Sequence, residues 1–248
     1  MQIKILQWNI FYKEKIENVI RLLKEIDPDI FCLQELAINC KFNKKISDIS
    51  LYIAQELKAN YYFERAFTKT DTSEMEAIGN GIFSKYPIVR KDSFFTQKPA
   101  SVQKSYSDEG RVCVEADIQI NGTVLTVATV HLSYVHKFFI SKQKKREVNI
   151  LIEKIKNKKE KYVITGDLNS TPDSYTICEL SKHLVHCGPD FKESTWTTKL
   201  FDYQGFREDK LNWRLDYVFA TKDVKVVSSK ILKTDTSDHL PILTTILI

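Results

Sequence analysis

Hydrophobic positions along this chain switch repeatedly between a period of two and a period near 3.6, which marks a dense series of short strands and helices. Residues 3–10 read as an apolar strand, after which Ile16, Val19, Ile20, Leu23 and Ile26 recur at helical spacing. Asp27-Pro28-Asp29 stops that helix, because proline disfavours helical backbone in the residue before it. Residues 30–33 form a short buried strand, 46–57 a second helix and 61–67 another strand. The centre is strand-rich: 81–84, 89–95, 112–120 and 124–130 all qualify, and Asn121-Gly122 joins the last two as a two-residue hairpin turn. A helix over 138–155 carries many lysines, read as its outer face. A strand at 163–165, a helix at 175–184 and strands at 215–220, 225–232 and 242–247 complete the chain. Helices interleaved with hairpins predict an α/β fold with mixed sheets, not a purely parallel doubly wound one. Segments 68–77, 96–110 and 199–212 read as long polar loops, the usual carriers of substrate contacts.

No repeat, low-complexity tract or flexible linker interrupts the 248 residues, so one domain spanning 1–248 is expected. Hydrophobic residues make up 43% and charged residues 28%, as in a globular protein with a substantial core. The formal charge of +5 suits a polyanionic or anionic-lipid partner without selecting one. The five cysteines include no closely spaced pair, which argues against zinc and against a disulfide framework. With no secretory leader and no apolar run of about 20 residues, an intracellular, cytoplasmic location is expected. Asn169-Ser170-Thr171 is a glycosylation sequon whose use would obstruct the chemistry below, and it favours a compartment without glycosylation.

That chemistry lies at the ends of the predicted strands. Gly166-Asp167-Leu168-Asn169 follows the run 162–164, and Ser237-Asp238-His239 precedes the last apolar run. Asp167 and Asn169 are two apart and face the same way in an extended segment, although an Asx turn would use the same residues. Asn9 follows the first strand and alone reads as a turn residue. Glu35 follows residues 30–33, where a buried carboxylate needs a partner: a cation, a salt bridge or a helix cap. His131 ends the strand at 124–130. Asp216, in Trp213-Arg214-Leu215-Asp216-Tyr217, can orient a histidine or pair with Arg214. Each signal is weak alone; their order along the chain is not.

The series Gln7-Trp8-Asn9, Leu33-Gln34-Glu35, Gly79-Asn80-Gly81, His131-Leu132, Gly166-Asp167-Leu168-Asn169, Arg214-Leu215-Asp216-Tyr217 and Ser237-Asp238-His239 resembles the endonuclease/exonuclease/phosphatase superfamily over nearly the whole chain. The resemblance implies a four-layer α/β/β/α sandwich, two mixed β-sheets packed face to face with helices outside. It implies Mg²⁺ at Glu35, with Asn9 and Asp238 near the ion or its waters, and Mn²⁺ as a substitute. Asp167 would orient or deprotonate the attacking water. Asn169 and His131 would bind phosphate oxygens. His239, held by Asp216, would contact the phosphate and move a proton. Glu74, Glu76 or Asn80 would orient His131, and Tyr106 and Arg111 would be further phosphate contacts from a loop, or else a surface tyrosine and a surface ion pair.

The resemblance implies the reaction more sharply than its substrate. Trp196, Phe201, Tyr203 and Phe206 lie in or beside a late loop with Lys199 and Arg207. Such a cluster can stack unpaired bases and hold backbone phosphates, enter a lipid interface, or pack beneath the loop. The lysines between 154 and 161 read as a solvated helix end. The expected activity is a Mg²⁺-dependent nucleic-acid phosphodiesterase, a DNA nuclease or DNA-end-processing enzyme of the abasic-endonuclease or 5′-tyrosyl-DNA phosphodiesterase type, with DNA favoured over RNA and no stable membrane insertion. A sphingomyelinase-like or inositol-phosphate phosphoesterase is the runner-up.

Overall fold

In the computed structural model, which describes residues 1–69, 74–101, 105–158 and 160–248, the chain opens with β1 (Gln2–Asn9) and α1 (Ile16–Ile26). The helix ends where Asp27 turns left-handed (φ 48°) and returns its N–H to the Leu23 carbonyl. Then follow β2 (Ile30–Ile38), α2 (Ile49–Leu57), β3 (Asn60–Thr68), β4 (Ala77–Ser84), β5 (Ile88–Gln97), β6 (Arg111–Ile120) and β7 (Thr123–His131). The remainder comprises α3 (Lys142–Ile155), β8 (Tyr162–Asp167), α4 (Tyr175–His183), β9 (Val185–His186), β10 (Phe201–Tyr203), β11 (Phe206–Glu208), β12 (Asp216–Ala220), β13 (Lys225–Ile231) and β14 (Ile242–Leu247).

The strands form two mixed six-stranded sheets, ordered β13-β14-β1-β2-β4-β3 and β5-β6-β7-β8-β12-β9, and β10-β11 stands apart as a hairpin. Ile5, Cys32 and Ile82 of the first sheet meet Val114, Val127 and Val163 of the second in one buried layer. Helices α1 and α2 cover Trp8, Leu33 and Phe83 on the outside, and α3 and α4 cover Val130, Ile164 and Tyr217. The result is the expected four-layer sandwich.

Side-chain alternation explains why the site forms where it does. In β1, Ile3 and Ile5 point into the layer between the sheets and Leu6 and Trp8 point to the helices. Continuing the inward phase brings Gln7 and Asn9. The same count takes β2 from Ile30 and Cys32 to Gln34, β7 from Val127 to Thr129 and His131, and β8 from Val163 to Thr165 and Asp167. The apolar interior therefore turns polar at one end of both sheets.

Several elements depart from the sequence expectation for local reasons. β2 continues past Leu33 through a bulge between Leu33 and Leu36, and β4 starts at Ala77 because it pairs that extension. Helix α2 begins after Asp48, whose carboxylate caps Leu51 N at 3.0 Å. Helix α3 begins after Ser141, whose hydroxyl caps Lys144 N at 3.0 Å, and Phe138 instead joins an aromatic cluster. The expected loop 199–212 contains the β10-β11 hairpin, turned by Gln204 and Gly205 at φ 50° and 78°. Two other expected loops include residues 70–73 and 102–104, which lie outside the described residues, as does Lys159 of the lysine run. All five cysteines are free. No described helix is long and apolar enough to cross a membrane.

Candidate active site

The register of the sheets brings the acids together. Asp167 is the pairing partner of His131 across parallel β7-β8 and of Asp216 across antiparallel β8-β12. Gly166 makes the close β7-β8 approach possible, since a Cβ there would collide with the Val130 carbonyl. From the other sheet, Asn9 Nδ2 donates to Asp167 Oδ2 at 3.1 Å and to Glu35 Oε1 at 3.0 Å, tying the two carboxylates together. Glu35 sits on the β2 bulge at φ 62°, a costly conformation for glutamate that turns its side chain into the site. Its Oε2 accepts from Tyr12 N at 3.1 Å.

His239 bridges two acids. Its Nδ1 lies 2.8 Å from Asp216 Oδ2 and its Nε2 lies 3.4 Å from Asp167 Oδ2. Burial disfavours its charged form, but Asp216, Asp167 and Asp238 outweigh that and raise its pKa well above the ordinary value. His131 behaves in the opposite way: burial, then Arg111, His239 and Lys144, drive its pKa well below the ordinary value. Asn169 Nδ2 donates to the Leu132 carbonyl at 3.0 Å, which fixes the amide's orientation, and lies 3.1 Å from His131 Nε2, which then acts as acceptor. Asn169, at φ 44°, also donates its backbone N–H to Asp167 Oδ1 at 2.9 Å. The Asx turn and the shared orientation foreseen for this pair thus coexist.

Burial pushes the Asp167 carboxyl up to about 6, while His239 opposes the rise. Burial and then Asp238 push Glu35 up to about 7, against hydrogen bonds from Asn9 and Tyr12. Asp167, Asp216 and His239 place ligand-type atoms within 4.8 Å of one another. His239 Nδ1 is hydrogen-bonded to Asp216 while Nε2 faces Asp167 at 3.4 Å, an arrangement that can pass a proton. Glu35 and Asp238 face one cavity of about 420 Å³, and a pair of oxygen donors there suits a hard cation that keeps several waters.

The cavity also collects Asn80, Arg111, Tyr106, His131, Asn169 and Trp196. Their surroundings narrow what they can do. Asn80 is 2% exposed and donates to the Val112 carbonyl at 2.8 Å. Arg111 is 6% exposed and pairs with Glu109 at 2.8 Å. Trp196 is 4% exposed and its indole N–H donates to Asp238 Oδ2 at 3.1 Å, so it holds an acid and has little face left for stacking. Phe206, in β11 of the hairpin, is likewise buried, against Phe138, Trp196 and Leu215. Glu74 accepts from Tyr12 Oη, and Glu76 from Asn39 Nδ2. Neither acid orients His131, whose Nε2 contacts the Asn169 amide. Arg214 donates to the Asp216 backbone carbonyl and to three carbonyls at 189–193, leaving the Asp216 carboxylate to His239.

Sequence reasoning missed two residues of α3. Lys144, read with the lysines of the outer face, and Glu147, which drew no reading, are each 1% exposed. The helical phase carried the signal, because 144, 147, 148, 151 and 155 all lie on the buried stripe. The half-exposed aromatic wall was only partly legible: Tyr134 joins Tyr106, Phe201 and Tyr203, with Tyr106 and Tyr203 centroids 4.9 Å apart.

The sequence profile described as "Endonuclease/Exonuclease/phosphatase family" matches residues 6–239, and the chain belongs to that family, whose members are hydrolases acting on phosphoester bonds. Comparison with curated proteins yields no match. Among solved structures, an endonuclease/exonuclease/phosphatase from Beutenbergia cavernae superposes with a TM-score of 0.79 at 18% identity, covering 99% of this chain and 71% of that one. D. rerio TDP2 complexed with a single-strand DNA product gives a TM-score of 0.68 at 18% identity, covering 100% and 99%. A mannosyl-6-phosphatase from Bacteroides thetaiotaomicron gives 0.68 at 16% identity, covering 99% and 100%. At these identities the likenesses establish the fold.

Proposed function

We propose that this protein is a Mg²⁺-dependent phosphodiesterase acting on nucleic acid, most readily on unpaired DNA or a DNA end. One observation carries the reading: Glu35, Asp167 and His239 open into the same cavity as Tyr106, Tyr134, Phe201 and Tyr203. A centre able to hydrolyse a phosphoester thus lies beside faces on which bases can stack.

Glu35 and Asp238 would hold the ion, with Asn9 as the strut that aims Glu35, and Mn²⁺ would substitute. When bound, the cation supplies positive charge against the oxygens of the phosphoryl group. The remaining tasks fall to the chain itself. Asp167 is ionised at neutral pH and orients the attacking water or takes its proton. His239 is cationic, is kept so by Asp216, and presents a proton to the phosphoryl or leaving oxygen. An acid and a base set apart by their surroundings are what this hydrolysis needs. Asn169 and His131 hold each other at the cavity wall; Asn169 reaches a phosphate oxygen by exchanging that contact for it, and His131 does so only in the tautomer that carries its proton on Nε2.

A second reading rests on Leu200, which lines the cavity while 61% exposed, and on Phe139, 69% exposed next to the cavity residue Phe138. Apolar side chains at the mouth suit a phospholipid or sphingomyelin surface. A Mg²⁺ assay on single- and double-stranded DNA, abasic DNA, 5′-tyrosyl DNA, RNA, a sugar phosphate, an inositol polyphosphate and sphingomyelin vesicles separates the two. Turnover concentrated on nucleic acid supports the proposal, and turnover confined to vesicles or sugar phosphates overturns it.

A further inference from the structure

We infer that Lys144 and Glu147 of α3 form a positioning clamp that sets the spacing between the two loops bearing His131, Asp167 and Asn169. The inference rests on the hydrolytic reading of that site for its kinetic consequence. The clamp's geometry stands without it.

Lys144 Nζ donates to the Ser133 carbonyl at 2.7 Å and to the Leu168 carbonyl at 2.8 Å. The first carbonyl lies two residues beyond His131, and the second lies between Asp167 and Asn169. One ammonium therefore joins the chain leaving β7 to the chain leaving β8. Glu147, one helical turn on, accepts the Ser133 N–H at 3.1 and 3.2 Å with its two oxygens and the Thr96 hydroxyl at 3.3 Å. Ser133 is thus gripped at its N–H by one side chain and at its C=O by the other. Ser141, the α3 cap, fixes the helix start three residues before Lys144.

Two buried charged side chains are a poor way to gain stability, since apolar side chains of similar volume often do as well or better. Their value here is geometric. Carbonyls leaving two adjacent strands diverge from the ladder and need donors, and a single ammonium satisfying both fixes their separation. Neither side chain lines the cavity, so both act through the loops. Displacing reacting groups by about 1 Å can cost on the order of 100-fold in rate.

The test uses the full-length protein with whichever phosphodiester the panel shows it to hydrolyse. Lys144→Met keeps the stem and removes the ammonium, and Lys144→Ala opens room for an added amine. We expect Lys144→Met to lower kcat by about 10- to 100-fold with KM within about twofold, the pattern of misplaced catalytic groups rather than lost binding. Ethylammonium should restore part of kcat in Lys144→Ala. Amide hydrogen exchange should quicken at Ser133 and Asn169 in Lys144→Met while β1 and β14 keep their protection. Wild-type kcat in Lys144→Met with unchanged exchange at 133 and 169 overturns the clamp. So does a loss of protection spread evenly over both sheets, which marks ordinary core damage. If the wild type hydrolyses none of the substrates, the functional reading fails, and the local exchange result alone decides the clamp.

Discussion

The floor of the cavity and the wall above it are built in opposite ways. The floor consists of side chains at the ends of β1, β7, β8 and β12, on the β2 bulge and just before β14, each locked by a partner: Asn9 to Glu35 and Asp167, His239 to Asp216, Asn169 to the Leu132 carbonyl. The wall consists of rings on a turn and a hairpin, with Tyr106, Tyr134 and Tyr203 meeting edge-on or tilted. Polar groups that must stabilise developing charge are held rigid, because their worth depends on aim. Rings that bind a flat partner need only presence and accessible area. On the proposed reading, the floor would carry the reaction and the wall would select what is brought to it.

Breaking the floor should have the largest effect. His239→Gln removes the cation between two acids, and turnover should fall by about 10³-fold, as expected for loss of a general acid with its electrostatic partner. Steady-state kinetics with a parallel thermal melt would show this, and a variant within threefold of wild type would separate His239 from catalysis.

Breaking the wall should act on binding. Removal of one stacking partner costs about 1–3 kcal/mol per base, so Tyr203→Ala should raise KM for single-stranded DNA at least several-fold and leave kcat in place. A kcat loss with unchanged KM would show the hairpin to be part of the reacting geometry instead.

The smallest effect contrasts the two histidines. His131 has a depressed pKa in the folded state, so below about 6.5 the unfolded chain binds a proton that the folded one refuses. Its contribution to stability is complete above that pH and is lost as pH falls toward the folded pKa. His131→Asn should flatten this acid limb in urea unfolding measured between pH 7 and 5. An unchanged slope would mean that His131 is already protonated in the native protein.

Asn9, His131 and Asp167 were readable in the sequence because each continues the inward phase of a strand whose apolar positions set that phase, as Ile3, Ile5, Gln7 and Asn9 do in β1; Glu35, on the bulge, and His239, before β14, were legible only through the motifs around them. Lys144 and Glu147 obeyed a helical phase just as clear, but the surrounding lysines disguised it. Trp196 was taken for a substrate contact because its bond to Asp238 spans 42 residues and no local pattern announces it. The hairpin escaped notice because its strands are three residues long, too short to establish alternation.

The decisive measurement is hydrolysis of a single-stranded DNA oligonucleotide by wild type and Asp167→Asn, each assayed in EDTA and again with Mg²⁺ restored. A metal-dependent hydrolytic floor requires wild-type turnover that EDTA abolishes and Mg²⁺ recovers, with Asp167→Asn slower by about 10²-fold or more at a closely similar melting temperature. Full activity in chelator, or equal rates for the two proteins, would contradict it.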